Sequence, residues 1–233
     1  MDLTNILSLK GEFEAEGLSR DSIAAESAFA ARKGLEYLVK IGGCEAKSDM
    51  LFLLQVGIRS LVAPMIESPF AMSKYQAMLP EGAFDHVGVT IETIDAVKRI
   101  DDILDAGVKL SEVTVGRTDL TASFNGTGVD SPETIAMVKT VARAARKRGL
   151  KTTMGGSVSK QTQELLRTDV ELRDLIACVE TRKCVMPVAG FIEDGSLEAA
   201  FHIEAQLLDR LVAHHGKIAR SAETRVGQIR SRL

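Results

Sequence analysis

Two carboxylates mark the ends of consecutive apolar runs. Glu92 closes HVGVTIET (86–93), and Asp119 follows EVTVG (112–116). If these runs are neighbouring strands of a parallel sheet, they lie about 4.8 Å apart. Two carboxylates at that spacing can hold one hard dication and leave positions for water and substrate. Such an ion polarises a carbonyl oxygen and stabilises an enolate. The competing reading makes Glu92 and Asp119 caps of the helices that follow, although Thr93 and Ser123 are available for that role.

Other strand ends are also polar: Glu14 or Glu16, Lys40, Glu67, Ser157, and Glu180 with Arg182. Lys40 closes YLVK and precedes IGGCEAK. It could hold a substrate carboxylate, with Gly42 and Gly43 opening the backbone to a ligand. It could also form a Schiff base, or pair with a strand-end glutamate. GGSVS (155–159) is either an anion site at a helix N-terminus or a plain N-cap. Arg117 is either a second anion clamp or a surface charge. Glu67, Gly116 and Thr118 join Lys40 and Arg117 as candidate substrate contacts. His86, His202, His214 and His215 are read as solvated, and no Ser-His-Asp or Cys-His constellation is present.

The elements that position these residues alternate. Buried-strand candidates are EFEAEG (12–17), YLVKIGG (37–43), SLVAPMIES (60–68), HVGVTIET, EVTVG, LKTTMGG (150–156) and LIACVE (175–180). Most are spaced by about 25 residues, the length of a strand plus a helix. TIDAVKRIDDILDAG places Ile94, Val97, Ile100, Ile103 and Leu104 on one helical face. DSPETIAMVKTVARAARKRG opens with Asp130 or Ser131 as N-cap and Pro132 in its first turn, and closes on basic residues and Gly149. Apolar strands alternating with helices predict an α/β protein of the TIM-type (β/α) barrel class. No G-x-G-x-x-G follows a strand, which argues against an open dinucleotide-binding sheet. Seven strands are counted, so the barrel either lacks one or takes it from residues 2–9 or CVMPV (184–188). Residues 1–195 form the barrel. Residues 196–233 form a long helical extension, broken at Gly216, that belongs to the same domain or to an oligomer contact; its apolar stripe is Ala200, Ile203, Leu207, Leu208 and Leu211.

Composition bounds the function. The 233 residues are 45% hydrophobic and 26% charged, with net charge −3 and no Trp. That argues against nucleic-acid partners, and no apolar run is long enough to span a membrane. The N-terminus lacks signal-peptide features, and three cysteines without metal-site spacing read as reduced thiols. A cytoplasmic location and a homo-oligomer are expected.

LLQVGIRSLVAPMIESP, VGVTIETIDAVKRIDDIL and VTVGRTDLTASF with VDSPE resemble the HpcH/HpaI aldolase and citrate lyase β-subunit family of the phosphoenolpyruvate/pyruvate barrel superfamily. The shared pattern is a strand ending Ile-Glu-Thr, a Gly-x-x-Asp-Leu strand end about 25 residues later, and a helix opening Ser-Pro-Glu. The likeness covers roughly residues 12–160. It implies a Mg²⁺ or Mn²⁺ site at Glu92 and Asp119, a 2-oxo acid or acyl-CoA substrate, and reversible C–C cleavage through an enolate. Departures are clear. Lys40 stands where the family has an Arg, keeping the charge but losing the bidentate fork. Gly17 stands where the aldolase branch has its proton-transferring His, leaving Glu14 or Glu16 as the base. ACVETRKCVMP matches neither branch, and the first barrel strand is missing. The alternative is a non-lytic barrel that binds a small anionic metabolite, or an inactive subunit of a larger assembly.

Overall fold

The computed structural model describes residues 3–232; Met1, Asp2 and Leu233 lie outside the described residues. The order begins β1 (Ser8–Glu12), α1 (Arg20–Arg32), β2 (Glu36–Lys40), α2 (Lys47–Gln55), β3 (Ser60–Ala63), α3 (Pro69–Met78) and β4 (His86–Ile91). It continues through α4 (Ile94–Lys98), α5 (Ile100–Asp105), β5 (Glu112–Gly116), α6 (Arg117–Ser123), α7 (Pro132–Lys147), β6 (Lys151–Gly155), α8 (Lys160–Thr168) and α9 (Val170–Leu175). The chain ends with β7 (Cys178–Glu180), β8 (Cys184–Pro187), α10 (Val188–Phe191) and α11 (Ser196–Arg230).

Strands β1 to β8 close a barrel in sequence order. Neighbours from β1 to β7 are parallel, and β8 is antiparallel to both β7 and β1. The reason is chain length. A parallel return needs a crossover of a dozen or more residues, whereas only Thr181, Arg182 and Lys183 separate β7 from β8. The turn is held by Thr181 N donating to Cys184 O at 2.9 Å and Cys184 N donating to Thr181 Oγ1 at 3.1 Å. The barrel therefore lacks no strand. CVMPV supplies the eighth strand, β8, and the first strand is Ser8–Glu12, overlapping residues 2–9 only at Ser8 and Leu9, rather than 12–17.

Inward and outward residues alternate along the strands. On β5, Val113 and Val115 join the large core between strands and helices, while Glu112, Thr114 and Gly116 take the other face. Helix α7 shows how the outer layer is held. Ser131, not Asp130, is its N-cap, accepting from Thr134 N at 3.3 Å. Ile135, Val138, Val141, Ala142 and Ala145 are buried on its inner face, and each large apolar side chain so buried contributes roughly 1.5–3 kcal/mol. The single helix expected over residues 93–107 is two, broken at Arg99, yet Val97, Ile100, Ile103 and Leu104 share the buried side as the periodicity requires. The C-terminal helix runs through Gly216 without a break. Its first turns bury Leu197, Ala200, Ile203 and Leu207, while Leu208 points outward. Among the described residues no helix is long and apolar enough to cross a membrane.

Candidate active site at the barrel mouth

The C-terminal ends of the parallel strands surround a cavity of about 460 Å³, where (β/α) barrels carry their chemistry. Of the residues singled out from sequence, Lys40, Glu92, Gly116, Thr118 and Asp119 line it, as do Ser157 and Glu180.

Glu92 follows β4 and is buried. Its Oε1 accepts from Lys40 Nζ at 3.0 Å, and its Oε2 accepts from Met65 N at 3.1 Å. Neither oxygen caps the following helix: Thr93 Oγ1 accepts from Ala96 N at 3.2 Å, and Ser123 Oγ from Ile94 N at 2.9 Å. Gly116, at the end of the next strand, makes room for this carboxylate, since a Cβ there would fall 2.7 Å from Glu92 Cγ. Asp119 sits exposed in the first turn of α6, with no hydrogen bond or ion pair among the described residues.

Beside Lys40, strand β1 adds Lys10 and Glu12, to which the sequence reading gave no role, and these meet a strand end already noted. Lys10 and Glu12, two apart on β1 and so on one face, meet Glu180 from β7. Lys10 Nζ lies 2.6 Å from Glu12 Oε1 and 2.7 Å from Glu180 Oε1, and all three are buried. Burial opposes the charge of Lys10, but Glu180 and Glu12 outweigh it and raise its pKa. Burial also works to raise Glu12, yet Lys10, Lys40 and Arg182 hold it below the usual carboxylate range. For Glu180 burial prevails, aided by Glu112 and Glu12 against Lys10, and its carboxyl is held above that range. Gly155 does for Glu180 what Gly116 does for Glu92: a Cβ at residue 155 would lie 2.7 Å from Glu180 Cγ. The available signal for β1 was Lys and Glu at i and i+2 in a strand with no other reason to be polar on one side.

Six expected residues lie away from the cavity lining. Glu14 and Glu67 are exposed. Gly42 donates its N–H to Asp49 Oδ2 at 3.0 Å, and Gly43 is half-buried nearby. Glu16 pairs with Lys183, which also binds Glu26 at 2.9 Å; Glu26 in turn accepts from Tyr37 Oη at 2.8 Å. Burial nonetheless raises the Glu16 pKa. Arg117 is fully buried. It donates to Gly155 O at 3.0 Å and Gly156 O at 2.9 Å and pairs with Asp130, so it ties α6 to the end of β6. Within GGSVS, Ser159 caps α8, while Gly156, Ser157 and Val158 line the cavity. His202, His214 and His215 are exposed; His86 is half-buried, 3.7 Å from Glu112.

A family model described as HpcH/HpaI aldolase/citrate lyase matches residues 22–171, well over half of the chain. The chain belongs to the HpcH/HpaI aldolase/citrate lyase family. It is an enzyme of that family's aldolase and lyase type, acting on a carbon–carbon bond. No curated protein matches it individually in sequence. An HpcH/HpaI aldolase from Desulfitobacterium hafniense DCB-2 superposes with a TM-score of 0.62 at 15% identity, covering 85% of this chain and 82% of that one. A family protein from Burkholderia cenocepacia J2315 gives 0.61 at 15%, covering 84% of each. Malate synthase from Haloferax volcanii, as a lead(II) complex, gives 0.58 at 15%, covering 78% of this chain and 62% of that one. At these identities the likeness is one of fold. Strands β1, β7 and β8 lie outside the family-matched segment.

Proposed function

We propose that this HpcH/HpaI-family enzyme is a divalent-metal-dependent lyase that cleaves or forms a C–C bond of a 2-oxo acid, or of an acyl-CoA, through an enolate. The observation that carries this reading is the charge of the cavity. Five acidic side chains (Glu12, Glu92, Asp119, Glu180, Glu204) line it against three basic ones (Lys10, Lys40, Arg182). An anionic substrate entering a net-negative cavity needs an added cation.

The donor set suits a hard ion. Glu92 and the unpaired Asp119 supply two carboxylates, the ligand number typical of Mg²⁺ with water completing the shell. Gly116 leaves the room that the Glu92 carboxylate occupies. Among the described residues no group of three or more Asp, Glu, His or Cys side chains is placed to hold a metal ion, so any ion here would rest on two carboxylates and water. Mg²⁺ or Mn²⁺ bound there would supply Lewis-acid stabilisation of enolate charge. Lys40, held in place by Glu92, would orient the substrate carboxylate, with Gly116 and Thr118 forming the adjacent wall. A cytoplasmic setting fits the three free thiols, and the exposed part of α11 fits a homo-oligomer contact.

One contact favours a second reading, a barrel that binds a small anion without chemistry: Lys40 already neutralises Glu92 without a metal. Exchange of the pyruvate methyl protons in deuterated water decides between them. Exchange that requires Mg²⁺ or Mn²⁺ and stops with chelator is expected; no exchange with either ion, of pyruvate or of the α-protons of acetyl-CoA, overturns the lyase reading.

A further inference from the structure

We propose that Glu180 is the group that moves the proton at the substrate carbon, and that Lys10 and Glu12 position it for that step. The inference rests on the lyase reading above and names the proton-transfer residue of that same site. Glu180 lies on β7 and its partners on β1, both outside the family-matched segment. The assignment therefore comes from this chain's own geometry.

Three observations converge. Glu180 lines the cavity that also holds Lys40, Glu92 and Asp119. Its Oε1 is fixed by Lys10 Nζ at 2.7 Å, while its Oε2 has no hydrogen bond among the described residues. The space it occupies exists because residue 155 is glycine. A carboxylate anchored by one oxygen and free at the other, inside the reaction cavity, has the geometry of a general base. The charged groups facing it are Lys10 and Glu12 from β1 and Glu112 from β5; β6 offers Gly155 and Thr153, and β8 offers Val185.

The charge arrangement suits the transfer. Lys10, Glu12 and Glu180 together carry one net negative charge. In the enolising direction the C3–H bond of the 2-oxo acid breaks, the proton forms an O–H bond on Glu180, and the electron pair moves into the C2 carbonyl to give the enolate oxygen. One negative charge passes from Glu180 to the substrate, and the three side chains become neutral overall. In the cleavage direction Glu180 takes the proton of the C4 hydroxyl as the C3–C4 bond breaks and the aldehyde leaves, and then returns that proton to C3 of the enolate. Lys10 is a positioning residue: its ammonium keeps Glu180 ionised against burial, and Glu12 keeps Lys10 charged after the proton arrives. The elevated carboxyl of Glu180 supports this assignment, because a base nearer neutrality removes a carbon-bound proton more effectively.

Glu180→Gln tests the proposal, with pyruvate and Mn²⁺ as probes. The amide oxygen still accepts from Lys10, so a merely structural role would survive the change. The expected result is an exchange rate lowered by about a hundredfold to ten-thousandfold, with the Mn²⁺-dependent rise in melting temperature retained; Glu180→Asp recovers part of the rate. Wild-type exchange should rise with pH through a midpoint above the ordinary carboxylate range, and Lys10→Met should move that midpoint higher. Exchange by Glu180→Gln within about threefold of wild type, at an unchanged pH profile, overturns the assignment and leaves the lyase reading standing. A wild-type rate flat across the mildly acidic range also overturns it, whether or not the variant folds. Absence of exchange in the wild type, of pyruvate and of acetyl-CoA alike, overturns both readings together.

Discussion

Gly116 is the space in which the Glu92 carboxylate lies: a Cβ built on the glycine would fall 2.7 Å from both Cγ and Oε1 of Glu92. The backbone there has φ −84°, which any residue adopts, so a substitution acts by crowding alone. Gly116→Ala should cost about 1–3 kcal/mol by overpacking and turn Glu92 away from Lys40. The expected reading is a folded variant whose melting temperature no longer rises on addition of Mn²⁺. A full metal response in Gly116→Ala would show that the position of Glu92 does not matter to metal binding.

The proposed metal ligands are tested by near-isosteric change. Glu92→Gln and Asp119→Asn should each remove the metal-dependent rise in melting temperature, which in wild type grows with free ion by mass action. Their stability costs should differ. Asp119 is exposed and unpaired, so its replacement should be within about 0.5 kcal/mol of wild type. Glu92 is buried against Lys40 and Met65 N, and weakening those contacts costs about 1–3 kcal/mol. Calorimetry with and without Mg²⁺ reads both quantities, and an undiminished metal response in both variants would sink the ligand assignment.

Lys40 should act as an ionic contact and not as a nucleophile. Its Nζ is engaged by Glu92 at 3.0 Å, and a charged, hydrogen-bonded ammonium does not attack a carbonyl. Lys40→Ala should weaken pyruvate binding about tenfold or more, the loss of one charged hydrogen bond, while Lys40→Arg keeps part of it. Borohydride treatment in the presence of pyruvate should leave the mass of the chain unchanged. A reduced adduct at residue 40 would replace the proposed enolate mechanism with Schiff-base chemistry.

How far these residues could be read in advance depended on what each strand carries. Strands β2 to β7 show apolar runs because their outward faces pack against helices, so their order and spacing were legible, and with them Lys40, Glu92 and Asp119 at their ends. Strand β1 was misplaced by a few residues because SLKGE carries Lys10 and Glu12 on its inner face and Gly11 between them. Such a strand looks like a surface loop until Glu180 arrives from 170 residues away to pair with Lys10. That pairing is a fact of closure and has no local signature. Arg117 misled for the opposite reason. A basic residue at a strand end suggests an anion contact, and only the folded chain shows its donors taken up by the carbonyls of residues 155 and 156.

The three thiols should differ in reactivity. Burial pushes Cys178 up to about 11, with Glu112 adding to it, and pushes Cys184 up to about 12, with Glu204 adding to it. The thiolate is the reactive form, so a raised pKa means less of it; three units below the pKa, about one molecule in a thousand is ionised. Cys44 is half-buried, whereas the other two are buried. At pH 8 a disulfide reagent should therefore modify one thiol quickly in the native protein and all three in denaturant. Fast reaction of two or three native thiols would contradict the burial of β7 and β8.

The C-terminal helix divides into a part that belongs to the barrel and a part that does not. Leu197, Ala200, Ile203 and Leu207 are buried; from Leu208 onward no described residue is, and Leu208, Val212, Val226 and Ile229 are largely exposed. These four fall on a stripe with His215, Ala219 and Ala222 at alternating spacings of four and three, the seam period of a coiled coil. A second copy of the same helix is the occupant we propose for this seam. The exposed segment is about 33 Å long at 1.5 Å per residue, enough for three heptads. A chain stopped before Gly195 would lose core residues and test only folding, so the informative truncation falls after Ala213. Light scattering should find an oligomer for the full chain and a smaller species for the truncated one, both with melting transitions close to each other. Val212→Asp with Val226→Asp should reproduce the smaller mass without shortening the chain, since a desolvated carboxylate in an apolar seam is strongly unfavourable. A monomeric full chain, or an unchanged mass in both variants, would place the subunit contact elsewhere or remove it altogether.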